Sequence, residues 1–121
     1  MNNSNYNHIG FIEIPTDDVE QTKKFYASIF GWEYEKSEKG SEDREYWFIK
    51  NAGLKGAITY SRKENQTPTY YVMVPSIDDF IDKSVKQGAT IVQGKQEISE
   101  GYYATMQDKQ NNTFGLWQGK D

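Results

Sequence analysis

Apolar and polar positions alternate with period two over residues 8–15, HIGFIEIP, and then change to helical spacing. After TDD, Val19, Tyr26, Ile29 and Phe30 fall on one helical face with Phe25 beside them, and Gly31 ends the pattern. Asp17 and Glu20 stand at capping-box spacing, and Asp18 adds negative charge to the first turn. Three strands are predicted next: WEYEKS (32–37), REYWFIK (44–50) and LKGAITYS (54–61), separated by EKGSED and NAG turns. RKENQTP (62–68) is charged, polar and Pro-ended, which predicts a linker. The pattern then restarts. TYYVMVPS (69–76) is a strand, Ser76 and Asp79 have cap spacing, and Ile77, Phe80, Ile81, Ser84 and Val85 form a helical face closed by Gly88. ATIVQGK (89–95), GYYATMQ (101–107) and NTFGLWQ (112–118) predict three more strands.

The order is therefore β-α-β-β-β, linker, β-α-β-β-β. IEIPTDD (12–18) and VMVPSID (72–78) share strand, Pro, hydroxyl and Asp at a constant offset of 60, an internal repeat that decides the fold. The prediction is an α+β fold, one domain over 1–121. It has a first βαβββ module at 8–61, a linker at 62–68 and a second module at 69–118. Each sheet has one face covered by a helix, which leaves the other faces to meet and enclose a concave cavity. Eight strands are too many for a ferredoxin-like domain.

Composition narrows the chemistry. With no cysteine, the 121-residue chain has no disulfide, thiolate metal site or Cys nucleophile. Fourteen basic and 18 acidic residues are interspersed, giving a formal net charge of -4. No basic stripe tracks a nucleic-acid backbone. No run approaches a membrane span, and MNNSNYN carries no apolar leader, so a soluble cytoplasmic protein is expected. Nine Tyr, six Phe and three Trp are the compositional oddity. Nine phenol hydroxyls need partners or water, which favours a wet concave surface over a purely apolar interior. A Ser-His-Asp triad is implausible with His8 as the single histidine, and both helices are entered through Pro and Asp rather than a Gly-rich phosphate loop.

IEIPTDDVEQTKKFYASIFGWEYE near the start and DKQNNTFGLWQ near the end resemble the vicinal oxygen chelate superfamily, the glyoxalase/bleomycin-resistance/dioxygenase fold. The resemblance runs from His8 to Gln118. It implies paired βαβββ modules, a concave cavity between the sheets and, often, a homodimer. In enzymes of that superfamily a divalent metal is held by His, Gln or Glu residues from the first and last strands of each module.

Strand parity tests that metal site. Gly10, Ile12 and Ile14 are assigned to the helix side, so Ile9, Phe11 and Glu13 face the cavity. The superfamily's histidine position falls on Phe11, or on Ile9 one pleat away, and His8 lies on the opposite face as a strand-start residue. The offset of 60 carries these positions onto Thr69, Tyr71 and Met73. In the last strand Thr113, Gly115 and Trp117 face the cavity, with the glutamate position on Gly115. In the corresponding strand of the first module Leu54, Gly56, Ile58 and Tyr60 do so, again with glycine at the ligand position. No metal and no cofactor is expected.

The same parity gives a binding surface of Phe11, Glu13, Ile58, Tyr60, Tyr71, Met73 and Trp117, with Gly56 and Gly115 leaving room. REYWFIK adds Tyr46 and Phe48 or Trp47 and Ile49, and GYYATM adds Tyr102 and Ala104 or Tyr103 and Thr105. Trp47 and Tyr103 are carried into the candidate set. Glu13 is the single ionisable group placed inside and the single catalytic candidate. It either meets a cationic ligand group or is held by Lys50, Lys55 or Arg62. Asp17, Asp18, Asp78 and Asp79 read as helix caps, and Glu97 and Glu100 as solvated turn residues. The leading reading is a metal-independent, glyoxalase/bleomycin-resistance-type protein that binds an aromatic, cationic organic molecule. The alternatives are a metal-dependent glyoxalase or dioxygenase built on Glu13 and His8, and a partner-binding or regulatory domain.

Overall fold

The computed structural model describes residues 6–37, 45–62 and 66–120. The EKGSED turn, most of MNNSNYN and the middle of the 62–68 linker lie outside the described residues. The elements are β1 (His8–Thr16), α1 (Val19–Phe30), β2 (Tyr34–Lys36), β3 (Tyr46–Ile49) and β4 (Gly56–Tyr60), then β5 (Thr69–Met73), α2 (Ile77–Lys86), β6 (Thr90–Ile98), β7 (Gly101–Gln107) and β8 (Thr113–Gly119). This is the predicted βαβββ order, twice. Two compact units emerge: Phe11–Pro68, and the described residues of Met1–Gly10 with Thr69–Asp121. They are called the N-terminal and C-terminal units below.

In the N-terminal unit the strands lie in the order β2-β3-β4-β1. β4 runs parallel to β1, with Ile14 opposite Ile58, and antiparallel to β3, with Trp47 opposite Ile58. Helix α1 starts one residue later than the capping-box spacing predicts. Asp18, not Asp17, is the N-cap, its Oδ1 accepting from the Gln21 N–H at 3.0 Å. Thr16 decides the shift: its hydroxyl oxygen accepts from the Asp18 N–H at 2.9 Å, which orients Asp18 for the cap. Gly31 closes α1 in the left-handed conformation at φ 70°, and its N–H donates to the Ala27 carbonyl.

Val19, Ile49 and Ile58 form the buried core of this unit, with Ile14, Tyr26, Trp32, Tyr34, Trp47 and Tyr60 packed around it. Lys23 of α1 completes that layer. Its ammonium sits 3.2 Å from the centroid of the Trp47 ring, with its side chain only 13% exposed. The Tyr34 hydroxyl donates to the Lys23 carbonyl at 2.9 Å, and burial, helped by Tyr26, holds this phenol above its ordinary pKa.

In the C-terminal unit the order is β5-β8-β7-β6, with β5 parallel to β8 and the other pairs antiparallel. Val74, Ile77, Ala104, Met106 and Leu116 are its core, and Val72, Phe80, Ile81, Tyr102 and Phe114 pack against them. Ser76 is the N-cap of α2, as the spacing predicts, accepting from the Asp79 N–H at 3.3 Å. The free N–H of Ile77 is satisfied from outside the helix by Gln118 Oε1 at 2.9 Å. Lys95 of β6 pairs with Asp78 of α2 at 3.0 Å and lies over the Tyr102 ring. Glu97 is not merely solvated. Lys120 donates to it, which lowers the carboxyl and raises the ammonium from their ordinary pKa values. The β7–β8 turn is built by Asp108, whose Oδ1 accepts from the Gln110 and Asn112 N–H groups at 2.8 and 2.9 Å.

Candidate functional site

Each helix covers one face of its sheet, and the other face carries the candidate residues. In the C-terminal unit the register settles which strand residues share that open face. Tyr71 stands opposite Gly115 and Met73 opposite Trp117, while Tyr103 stands opposite Trp117 and Thr105 opposite Gly115. Val72, Leu116 and Ala104 point into the α2 core instead. The alternative left open for GYYATM resolves to Tyr103 and Thr105, because Tyr102 and Ala104 are needed under α2. β6 adds Gln93 and Gln96, paired with Thr105 and Tyr103.

Tyr71 and Tyr103 meet edge-to-face at 6.5 Å between centroids. The Tyr71 ring lies over Gly115, and a Cβ at position 115 would stand too close to its Cδ2, Cε2 and Cγ atoms to fit. The Trp117 ring reaches towards Gly101, its Cζ2 3.0 Å from where a Cβ would stand. Met73 runs along Gly10, and its carbonyl accepts from the Asn7 N–H at 2.7 Å. His8, the first residue of β1, is exposed.

In the N-terminal unit Glu13 shares the open face with Ala57 and Thr59 of β4 and with Tyr46 and Phe48 of β3. The Tyr46 hydroxyl donates to Glu13 Oε2 at 2.8 Å, and the Tyr46 and Phe48 rings pack edge-to-face at 5.4 Å. Phe11 lies two residues before Glu13 on the same strand and is half-buried.

Three members of the expected binding surface are on the wrong face for that role. Ile58 is fully buried, and it, Tyr60 and Trp47 pack in the α1 core with Val19 and Ile49. Gly56 goes with them, since a Cβ there would meet Ile12 and Ile49. The physical reason is volume. α1 needs bulky apolar partners, and in GAITY only Ile58 and Tyr60 supply them, so the small Ala57 and Thr59 fall on the other side of the strand, where both are buried. In REYWFIK the same demand takes Trp47 and Ile49 and leaves Tyr46 and Phe48. Sequence reasoning missed Gln93 and Gln96. β6 continues to Ile98, beyond the predicted end at Lys95, and its pairing slips between Ile91 and Gln93 and again before Gln96, which no alternation reveals.

Among the described residues no three His, Cys, Asp or Glu side chains come together. The open faces offer phenols, an indole, a thioether, amides and hydroxyls, with Glu13 as the one carboxylate read from the registers above. That donor set does not fit a divalent cation, and no chemical step is assigned through one.

Fold and register together define an α+β protein of paired βαβββ units with aromatic open faces. The chain belongs to the Glyoxalase/Bleomycin resistance protein/Dioxygenase superfamily, whose family model matches residues 6–116. Two curated mycobacterial relatives, both named "Putative glyoxylase CFP32", from Mycobacterium bovis and Mycobacterium tuberculosis, are 27% identical over 115 residues. The match takes in 89% of this chain but 44% of theirs, so the chain spans less than half the length of these relatives. Among solved structures, hypothetical protein BH1468 from Bacillus halodurans superposes with a TM-score of 0.71 at 11% identity, covering 94% of this chain and 95% of that one. Methylmalonyl-CoA epimerase from Mycobacterium tuberculosis superposes with a TM-score of 0.68 at 10% identity, covering 96% and 90%. At such identities the likeness is one of fold. No helix among the described residues is long and apolar enough to cross a membrane.

Proposed function

We propose that the protein is a metal-independent member of this superfamily that binds an aromatic organic molecule on its open sheet faces. Phe11 and Glu13 remain candidates on the open face of the N-terminal unit, joined by Tyr46, and Tyr71, Met73, Tyr103 and Trp117 remain candidates on that of the C-terminal unit. One observation carries the reading: the position expected to hold a metal-ligating glutamate on the last strand is Gly115, and the Tyr71 ring lies over it. Glu13, already accepting from Tyr46, is the acceptor for any cationic group of the ligand. Pairing of chains as homodimers and a cytoplasmic setting belong to the same proposal. Phe25, Ile29 and Phe30 of α1, each more than half exposed, are apolar surface that such pairing would cover.

Metal analysis of the purified protein, before and after dialysis against zinc, nickel, manganese and iron salts, tests the reading. Sub-stoichiometric metal with a melting temperature indifferent to EDTA is expected. One tightly held ion per chain overturns it. Analytical ultracentrifugation at micromolar concentration reads the pairing, and a monomer throughout removes that part.

A further inference from the structure

On the C-terminal unit an aromatic ring lies on a glycine, and a second ring reaches towards another. Tyr71 of β5 covers Gly115 of β8, and the indole of Trp117 of β8 reaches to Gly101 of β7. A glycine inside a strand is a weak strand former, and a ring lying across it restores the lost contact. The consequence here is orientation. A ring standing up from the sheet presents its edge, whereas a ring lying against the backbone presents a face. Tyr103 is paired with Trp117 and packs edge-to-face with Tyr71.

The charge on this face is equally specific. The residues β5, β6, β7 and β8 present there are Tyr71, Met73, Gln93, Gln96, Tyr103, Thr105, Gly115 and Trp117. None is charged at neutral pH. The charged residues of β6 and its neighbours, Lys95, Glu97 and Lys120, are engaged around Tyr102 and Asp78 on the α2 side.

Resting on the small-molecule reading, we infer that the β5–β8 face is a stacking platform for an uncharged, planar ring system. Gly115 acts as its positioning residue, and Gln93, Gln96 and Thr105 are hydrogen-bonding groups at its rim. A permanently charged ring gains no ion pair there and loses part of its hydration, a loss that cation–π attraction to the ring faces offsets only in part, so a neutral fused ring bearing a carbonyl is the favoured chemistry. This is more than absence of a metal corner. The space a metal-ligating carboxylate would need is taken by Tyr71 and turned into contact surface.

Three probes of similar size test it by calorimetry: coumarin (neutral), N-methylquinolinium (cationic) and naphthalene-2-sulfonate (anionic). Coumarin is expected to bind at least tenfold more tightly than either ion, with affinity unchanged between low and high salt. Quenching of tryptophan emission should be larger in the wild type than in Trp117→Phe. Gly115→Ala lifts the Tyr71 ring and should weaken coumarin at least tenfold. Tyr71→Leu keeps apolar bulk without the ring face and should do the same, so the inference stays testable if Gly115→Ala folds poorly. Quinolinium binding lost in Glu13→Gln, with coumarin inert, overturns the platform while leaving the small-molecule reading intact. Silence from all three probes overturns both.

Discussion

Truncating Ile58 to alanine separates the two faces of β4 in one measurement. Ile58 is fully buried against Val19 and Ile49, with Ile14 and Trp47 opposite it on the flanking strands. The substitution removes three carbons from that layer, about 2.4 kcal/mol at ~0.8 kcal/mol per methylene. A site held between a helix and three strands collapses poorly, so a cavity contribution brings the expected loss to about 3–4 kcal/mol, inside the ~2–5 kcal/mol range for such truncations. With an unfolding entropy near 2.1 cal/mol/K per residue, a chain of 121 residues loses about 4 °C per kcal/mol. Melting should therefore fall by roughly 12–16 °C. Phe48→Ala, on the opposite face and 40% exposed, should lose well under half as much. Urea unfolding followed by circular dichroism gives both values, and coumarin titration gives affinity alongside. An Ile58→Ala protein within about 1 kcal/mol of wild type, with ligand affinity reduced instead, would refute the assignment of Ile58 to the α1 core.

Three further outcomes follow from the local geometry. Asp18→Ala should lose about 1 kcal/mol of stability and Asp17→Ala almost none, because Asp18 alone accepts from the Gln21 N–H; equal losses in chemical denaturation would count against the observed cap. Acidification should loosen the β7–β8 turn, because the backbone N–H of Asn112, ahead of that of Gln110, holds Asp108 below its ordinary 3.8. A carboxyl depressed in the folded state stabilises above its unfolded pKa and loses that stabilisation as pH falls through the folded value. Wild type should thus lose stability below about pH 4 more steeply than Asp108→Asn, and parallel acid titrations contradict this. Lys23→Met should lose about 0.5–2 kcal/mol beyond its packing through the ammonium–indole contact. A double-mutant cycle with Trp47→Leu that returns no coupling removes that contact from the account.

Much of the fold could be read from the chain alone. The β-α-β-β-β order, its repetition at an offset of 60 and the cap at Ser76 rest on local periodicity and turn chemistry, which short segments carry by themselves. The open face of β5 and β8 was legible for the same reason. In TYYVM and TFGLWQ the parity is anchored by Val72 and Leu116, which must meet α2, so Tyr71, Met73, Gly115 and Trp117 have no other direction.

Tertiary packing alone decided the rest. REYWFIK and GAITY carry apolar side chains on both alternate sets, so periodicity assigns neither face. The volume demanded beneath α1 chose Trp47, Ile49, Ile58 and Tyr60 for that core and put Tyr46, Phe48, Ala57 and Thr59 on the opposite side of their strands, where Ala57 and Thr59 are still buried. The cap moved from Asp17 to Asp18 because a hydroxyl two residues back engages the latter's N–H. That Tyr71 lies flat on Gly115 is likewise a contact between strands more than 40 residues apart in sequence. A chain read one position at a time shows that a glycine leaves space, and only the neighbouring strand shows what fills it.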